Sequence, residues 1–199
     1  INQFAGNMDD ILQMFKEKNI PVVLGTLTCN LKDQKPFISI KDSKLPSAEE
    51  IFNKAKDAYD SGQIENARQL FLKAKELDAL RFRAPNKINE SIINLSKKYN
   101  YPVVDIDSIF KFNSPNGIVG QNLMVDHLHP NIEGYRIIAD AYFKEMNNLN
   151  ILPKGNRAKI SDMKADSLLT ENFPFTKLDS TVAEMQLAIL TGQYPFTPK

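Results

Sequence analysis

The sequence lacks the features that mark several specialised classes of protein. It has one cysteine, Cys29, which excludes an internal disulfide bond and which we expect to be a small buried filler rather than a nucleophile. No lysine- or arginine-rich block is present and the net charge is only +1, so nothing in the charge pattern indicates nucleic-acid binding. No apolar run is long enough to span a bilayer. With 42% hydrophobic and 25% charged residues over 199 positions, the chain can form one substantial domain, with or without an insertion.

Two helix–strand units occur along the chain. Residues 8–18 carry apolar side chains at helical spacing, and the apolar run at 20–27 that follows predicts a buried strand. Residues 86–98 and 101–106 repeat the same order, and a further helix is expected to start near Pro130, since proline fits a first helical turn. Its apolar stripe is predicted to be Tyr135, Ile138, Tyr142 and Met146. This alternation is typical of an open parallel sheet covered by helices.

Residues 47–80 do not fit that alternation. They predict two helices broken at Ser61-Gly62, with small residues that let the helices approach closely. The pattern resembles one tetratricopeptide repeat (TPR), at positions Ala55, Gly62, Ala67, Phe71 and Ala74. One repeat is too short to form an extended binding groove, so we expect an inserted hairpin packed on its host domain.

The C-terminal part of the chain, residues 151–199, contains several prolines. It predicts an irregular crossing followed by a helix over 178–191. The apolar stripe of that helix is predicted to be Leu178, Val182, Met185 and Ile189.

The strongest chemical signal is Asp126-His127-Leu128-His129-Pro130-Asn131, directly before a predicted helix. A nucleophilic serine needs a histidine to take its proton, and that histidine needs a carboxylate to fix its tautomer and stabilise the imidazolium. A separation of three residues on a tight loop lets the carboxylate reach the Nδ1 side of the ring. We therefore expect Asp126 to hold His129 Nδ1 at about 2.6–3.2 Å, and His129 to be a base that faces a cavity beside Asn30.

The Asp-x-x-His-Pro block at 126–130 resembles the final catalytic block of the SGNH, or GDSL-like, hydrolases. Residues 22–33 resemble the strand and loop that follow the family's oxyanion-asparagine block. Residues 78–85 resemble the stretch where a TPR-like insertion rejoins the core in a bacterial subgroup, and residues 176–179 and 194–196 resemble that subgroup's tail. The chain is thus similar to the C-terminal part of such a hydrolase.

This resemblance implies an α/β fold, the C-terminal portion of a flavodoxin-like parallel sheet with flanking helices. Residues 1–46 and 85–150 would form that hydrolase core. Residues 47–84 would be an inserted TPR-like helical hairpin, and residues 151–199 an extension with one helix packed on the core.

The resemblance also implies a function. Asp126 and His129 would serve a serine ester hydrolase that acts on an acyl or acetyl ester, such as a carbohydrate ester or a lipid, or an acyltransferase with the same site. The family's nucleophile lies in a Gly-Asp-Ser motif, which this sequence lacks, and its oxyanion glycine and asparagine lie in earlier blocks. We expect an upstream segment of the same protein to supply them and complete the fold, and this chain alone to be inactive. No cofactor is expected. An extracytoplasmic location in a bacterium is expected, with any signal peptide or anchor preceding Ile1.

Other assignments compete for several of these residues. Asp126, His127 and His129 could instead ligate a metal, although alternate residues of a loop tend to point apart. Asn30 follows the carboxyl end of a predicted strand, where α/β sheets form their sites, so it is either a substrate contact or a turn residue. Arg83 is a candidate for binding an anionic substrate, or else pairs with acidic side chains.

A second class of function also remains open. The hairpin within residues 47–84 could dock a partner protein, with the α/β part as its scaffold. The complete Asp-x-x-His-Pro block favours the enzyme, whereas the missing serine motif keeps the interaction module as an alternative.

Overall fold

The protein is described by a computed structural model that covers residues 1–41, 45–153 and 161–197. The chain divides into two compact units, Ile1–Leu152 and Pro153–Lys199. The elements of the first unit, in chain order, are α1 (Asn2–Glu17), β1 (Leu24–Gly25), α2 (Ala48–Asp60), α3 (Ile64–Leu77), α4 (Asn86–Tyr99), β2 (Val103–Val104), α5 (Ile106–Phe112), a 3₁₀ turn (Pro115–Gly117) and α6 (Ile132–Asn148). The first unit is therefore an α-rich α/β structure with a small sheet.

The sheet consists of β1 and β2, which pair in parallel with Leu24 opposite Val103. The prediction of adjacent parallel strands is confirmed, but both strands are shorter than the apolar runs suggested. β2 ends at Val104 because the Asp105 side chain accepts the backbone N–H of Ser108 and caps α5, which turns the chain into a helix at once.

Apolar side chains cover both faces of this sheet. One cluster joins α1 and α4 to the strands, through Leu12, Leu24, Ile92 and Leu95. The other joins α5, the following loop and α6, through Val104, Ile106, Phe110, Val119, Leu123 and Met124. Leu24 and Val103 belong to the first cluster, whereas their chain neighbours Val23 and Val104 belong to the second. Successive strand residues point to opposite faces, so the sheet is the middle of three layers.

Helix α6 begins later than expected and presents a different face. Its N-cap is Asn131, which accepts the backbone N–H of Gly134 at 2.9 Å, so Pro130 lies outside the helix. A Cβ on Gly134 would lie 2.5 Å from the carbonyl oxygen of Leu123, and this close approach sets the buried face. Tyr135 is therefore 56% exposed and was wrongly placed in the apolar stripe. The residues of α6 that do pack on the core are Ile137, Ile138, Ala141 and Tyr142.

Helices α2 and α3 form a hairpin whose apolar side chains pack on each other and on Cys29, Leu31 and Ile118. The break falls at Ser61-Gly62 as predicted, because Gly62 adopts a positive φ of 77° that favours glycine. Phe52 and Phe71 meet edge to face at 5.4 Å between ring centroids, and the alanines that let the helices approach are almost fully buried: Ala55, Ala67 and Ala74. The identification of this hairpin as a TPR-type repeat remains a prediction.

The second unit contains α7 (Asp162–Glu171) and α8 (Lys177–Thr191). The predicted helix over 178–191 matches α8, which starts with a capping box between Thr176 and Asp179. The sequence predicts irregular structure before this helix, and that prediction is wrong for residues 162–171, which form α7. The Ser161 side chain accepts the backbone N–H of Lys164 and caps α7. The predicted apolar stripe of α8 is exposed, from 44% at Val182 to 71% at Leu178. Over the parts of the chain that the structure describes, no helix has the length and apolarity needed to cross a bilayer.

Candidate active site

The segment 123–131, called here the Asp–His loop, is folded tightly by its own backbone and by one carboxylate. Asp126 Oδ1 accepts the backbone N–H groups of Leu128 and His129, both at 2.8 Å. The N–H of Val125 donates to the carbonyl oxygen of His129 at 2.9 Å and closes the loop. This turn follows from the short side chain of Asp126 itself, since aspartate bonds the backbone N–H groups two and three positions further on.

The second oxygen of the same carboxylate orients His129. Asp126 Oδ2 lies 2.7 Å from His129 Nδ1, within the range expected from the sequence. The Asp126 side chain is 2% exposed, whereas the His129 side chain is 55% exposed. When Nδ1 carries the proton that Asp126 accepts, Nε2 of the neutral ring is a free acceptor. This arrangement can take a proton from a group that approaches Nε2.

Asp126 keeps its charge despite its burial. Burial by itself raises the pKa of this carboxyl, but the backbone N–H groups of His129 and Leu128, followed by the His129 side chain, outweigh it and hold the pKa below its ordinary value. Asp126 is therefore a carboxylate at neutral pH, as an orienting acid must be.

His127 is buried, in contrast to the exposed ring of His129. Its ring is buried and meets Phe37 edge to face at 5.2 Å, with Phe82 at 5.7 Å. Burial lowers the pKa of His127 below its ordinary value, so its ring is neutral at pH 7. The rings of His127 and His129 are 6.1 Å apart and nearly perpendicular. Sequence reasoning considered His127 only as a metal ligand, and no local pattern indicated its aromatic neighbours.

Asn30 ties the loop after β1 to the Asp–His loop. It is 2% exposed, its backbone N–H donates to the carbonyl oxygen of His127 at 3.0 Å, and its Nδ2 donates to that of Asp126 at 3.1 Å. Its Oδ1 accepts the N–H of Asp33 at 2.9 Å. Asn30 thus lies against the Asp–His loop, and both groups of its amide are engaged by the protein. These contacts favour a role in holding the loop over contact with substrate.

Arg83 is buried in the same way. Its guanidinium donates to the backbone carbonyl oxygens of Asn30 at 3.1 Å and Gln34 at 2.8 Å, and lies 3.4 Å from the carboxylate of Asp78. Of the two alternatives left open by the sequence, an anion site or an acidic partner, these contacts favour the second.

A cavity of about 190 Å³ opens where the loop after β1 meets α3, α4 and α5, and it does not lie where the sequence suggested. Its walls include Leu27, Cys29, Lys75, Asn86 and Asp107, but neither His129 nor Asn30. This cavity is not the one expected beside Asn30, and the expectation that His129 faces such a cavity stays a prediction. Burial raises the pKa of the Cys29 thiol, which agrees with a filler role. In the described part of the chain, no group of three or more His, Cys, Asp or Glu side chains is placed to hold a metal ion.

Comparison with known proteins gives one match. The sequence profile described as GDSL-like Lipase/Acylhydrolase matches residues 1–142, which include both strands, the hairpin and the Asp–His loop. No curated protein and no solved structure matches the chain.

Proposed function

The chain belongs to the GDSL-like lipase/acylhydrolase family, a hydrolase family of the SGNH type, and from that premise we propose that it contributes the Asp126–His129 pair of a serine ester hydrolase. The observation that carries this proposal is the 2.7 Å contact from Asp126 Oδ2 to His129 Nδ1, with the His129 ring half exposed. A buried ionised carboxylate behind an accessible imidazole is the arrangement that a serine hydrolase needs.

Each residue then has a defined task. A serine hydroxyl attacks the ester carbonyl, and His129 Nε2 accepts its proton as the C–O bond forms. His129 returns that proton to the leaving alcohol, which frees an acyl-enzyme. A water molecule attacks the acyl group and gives its proton to Nε2, which passes it to the serine oxygen as the acyl–serine bond breaks and the acid leaves. Asp126 stays ionised throughout and stabilises the imidazolium. If another alcohol replaces water, the same steps transfer the acyl group.

The serine itself is proposed to come from an upstream segment of the same protein. The sequence contains no Gly-Asp-Ser motif, and among the described residues no serine hydroxyl is hydrogen-bonded to His129. The sheet supports this proposal, because the described part of β1 pairs only with β2 and leaves its other edge without a neighbouring strand. Further strands on that edge would complete a flavodoxin-like sheet and cover its unpaired backbone groups.

The substrate is proposed to be an acyl or acetyl ester, of a carbohydrate or a lipid. The alternative function, in which the α2–α3 hairpin binds a partner protein, remains a prediction that no contact specifically favours. The most apolar side chains of the hairpin, Phe52 and Phe71, are turned into its own core.

Hydrolysis of p-nitrophenyl acetate by four purified proteins tests the proposal. These are the chain itself, the chain with its natural upstream segment, that longer form with His129→Ala, and the longer form with Arg68→Ala as control. Arg68 lies on the hairpin and pairs with Glu65 in solvent, so its loss should leave turnover unchanged.

The expected result is turnover in the longer form and its Arg68 control, and none in the chain alone or in the His129 variant. A fluorophosphonate probe should label the longer form at one serine. Equal turnover in the longer form and its His129→Ala variant would falsify the assignment of His129 as the base.

A further inference from the structure

A buried carboxylate at the end of the hairpin accepts hydrogen bonds from the chain before the hairpin and from the chain after it. Asp78 follows α3 as its C-cap residue, and its side chain is 2% exposed. Its oxygens accept the backbone N–H groups of Phe37 at 2.9 Å, Ile38 at 3.1 Å and Leu80 at 3.1 Å. The carboxylate therefore joins the segment that leads into the hairpin to the segment that leaves it.

Arg83 extends this arrangement toward the candidate site. Its side chain is 2% exposed, and one guanidinium nitrogen, Nη1, bridges the carbonyl oxygens of Asn30 and Gln34 while Nη2 faces Asp78. Asn30 in turn holds the carbonyl oxygens of Asp126 and His127. A continuous series of buried polar contacts thus connects the end of α3 with the Asp–His loop.

The chemistry of this series argues for positioning rather than for stability. Burial lowers the pKa of Arg83, which shows that the charge is held in an unfavourable medium. Buried ion pairs often add little to stability compared with apolar residues of the same size. A planar guanidinium, however, can hold several acceptors in fixed directions, which a lysine ammonium does not reproduce.

The geometry of the Asp–His loop depends on hydrogen bonds from other segments. It has no ladder of regular secondary structure beyond the single bridge between Met124 and Pro130. The direction of the Asp126 carboxylate depends on the backbone at 126 and 127, and the two carbonyl oxygens of these residues are the atoms that Asn30 holds.

We propose that Arg83, held by Asp78, is a positioning residue that acts through Asn30 to keep Asp126 and His129 in hydrogen-bonding geometry. The catalytic meaning of this proposal rests on the proposed function, but the geometric part does not. The end of the inserted hairpin is then a structural support of the site, in addition to any other role of the hairpin.

NMR spectroscopy of the chain tests the geometric part directly. The chain has two histidines, so their ring protons and nitrogens are easily assigned. The His129 Nδ1 proton, held by Asp126, should give a slowly exchanging downfield resonance at low temperature. We expect this resonance to be lost or broadened in Arg83→Met and partly restored in Arg83→Lys. Arg68→Met, which removes an exposed guanidinium from the same hairpin, should leave it unchanged.

Arg83→Met leaves the Asp78 charge buried without its partner and could therefore misfold. Two further variants distinguish misfolding from a loss of positioning. The double variant Asp78→Asn/Arg83→Met removes both charges, and Asn30→Ala removes the Nδ2 donor to Asp126 and the Oδ1 acceptor for Asp33 without adding a buried charge. Amide dispersion reports folding in each case. An unchanged Nδ1 proton resonance in the folded forms of these variants overturns the proposal.

Activity separates this proposal from the proposed function. If no form of the protein hydrolyses esters, the proposed function fails, and the Nδ1 proton still decides whether Arg83 positions the loop. If the longer form is active, Arg83→Met should lower kcat by about 10²-fold, the order expected for a small displacement of a reacting group, with KM nearly unchanged. A change in KM alone would mean that Arg83 contacts substrate, and would overturn the positioning role.

Discussion

The hairpin and the Asp–His loop are held by opposite kinds of interaction. The hairpin is packed mainly by the apolar side chains of its own two helices, with Phe71 1% exposed and Ala55 and Ala67 fully buried, and Cys29, Leu31 and Ile118 complete the cluster. The Asp–His loop is held by directed hydrogen bonds, several of them from distant segments such as Asn30. Apolar packing is non-directional and roughly proportional to area, whereas a hydrogen bond is lost when its geometry changes slightly.

This difference predicts that stability and the proposed chemistry depend on different parts of the first unit. Substitutions in the hairpin core should change the free energy of unfolding and leave the chemistry of His129 intact in the folded fraction. Substitutions in the Asp–His loop should do the reverse.

The largest effect is expected from Asp126→Asn. The amide has the size of the carboxylate but donates to the wrong side of the ring and favours the wrong tautomer of His129, so turnover of the active form should fall by about 10⁴-fold. Steady-state kinetics with p-nitrophenyl acetate measure this, and urea unfolding of the same variant measures the accompanying change in stability. A fall of less than tenfold would show that Asp126 does not orient the base.

The next effect is on stability alone. Phe71→Ala should cost about 3–5 kcal/mol of unfolding free energy, because it empties the centre of the hairpin core. Phe112→Ala is the matched control, since Phe112 is 89% exposed and its loss should change stability by less than about 0.5 kcal/mol. Urea titrations at one pH compare the two. Similar losses in both variants would mean that the hairpin core is not the stabilising element described here.

A pair of glycines tests how closely α6 must approach the Asp–His loop. Gly134→Ala should destabilise the protein by about 1–3 kcal/mol, because its Cβ would meet the Leu123 carbonyl oxygen at 2.5 Å and Pro130 Cβ at 2.9 Å. Gly6→Ala should instead stabilise by about 0.4–1 kcal/mol, since Gly6 lies within α1 and a Cβ there meets nothing within 4 Å. Thermal or urea unfolding should therefore show changes of opposite sign in the free energy of unfolding of the two variants. Changes of the same sign would show that α6 can accept a Cβ at Gly134.

The same contrast explains what the sequence could predict. The hairpin break and the Asp126–His129 contact depend on residues one to four positions apart, so spacing and turn chemistry indicated both. The supports of the loop come from residues 53 and 96 positions apart in sequence, between Arg83 and Asn30 and between Asn30 and Asp126. No local pattern encodes such pairs.

The ends of the strands and the start of α6 also differ from the sequence predictions, and here the causes are local hydrogen bonds. Both strands end early because polar residues at their carboxyl ends turn toward each other, as Thr26 does when it donates to Asp105 at 2.8 Å. A proline at the first helical position is common, and this predicts a start of α6 near Pro130. The helix starts at Ile132 instead, because the Asn131 side chain accepts the backbone N–H of Gly134 and forms the N-cap.

The smallest effect concerns His127, the one buried titratable group of the Asp–His loop that the proposed reaction does not use. Because burial lowers its pKa in the folded protein, the unfolded chain binds a proton first as the pH falls. The stability that this group contributes is complete above its unfolded pKa of about 6.5 and is lost as the pH falls from there toward the folded value. The free energy of unfolding should therefore decrease below pH 6.5, with a slope of at most about 1.4 kcal/mol per pH unit for one proton.

His127→Phe, which keeps a ring beside Phe37 and Phe82, should remove this slope. Urea titrations between pH 5 and 7.5 measure it, above the range in which the lowered pKa of Asp126 takes effect. A slope that persists unchanged in His127→Phe would show that another group causes it, and would contradict the assignment to His127.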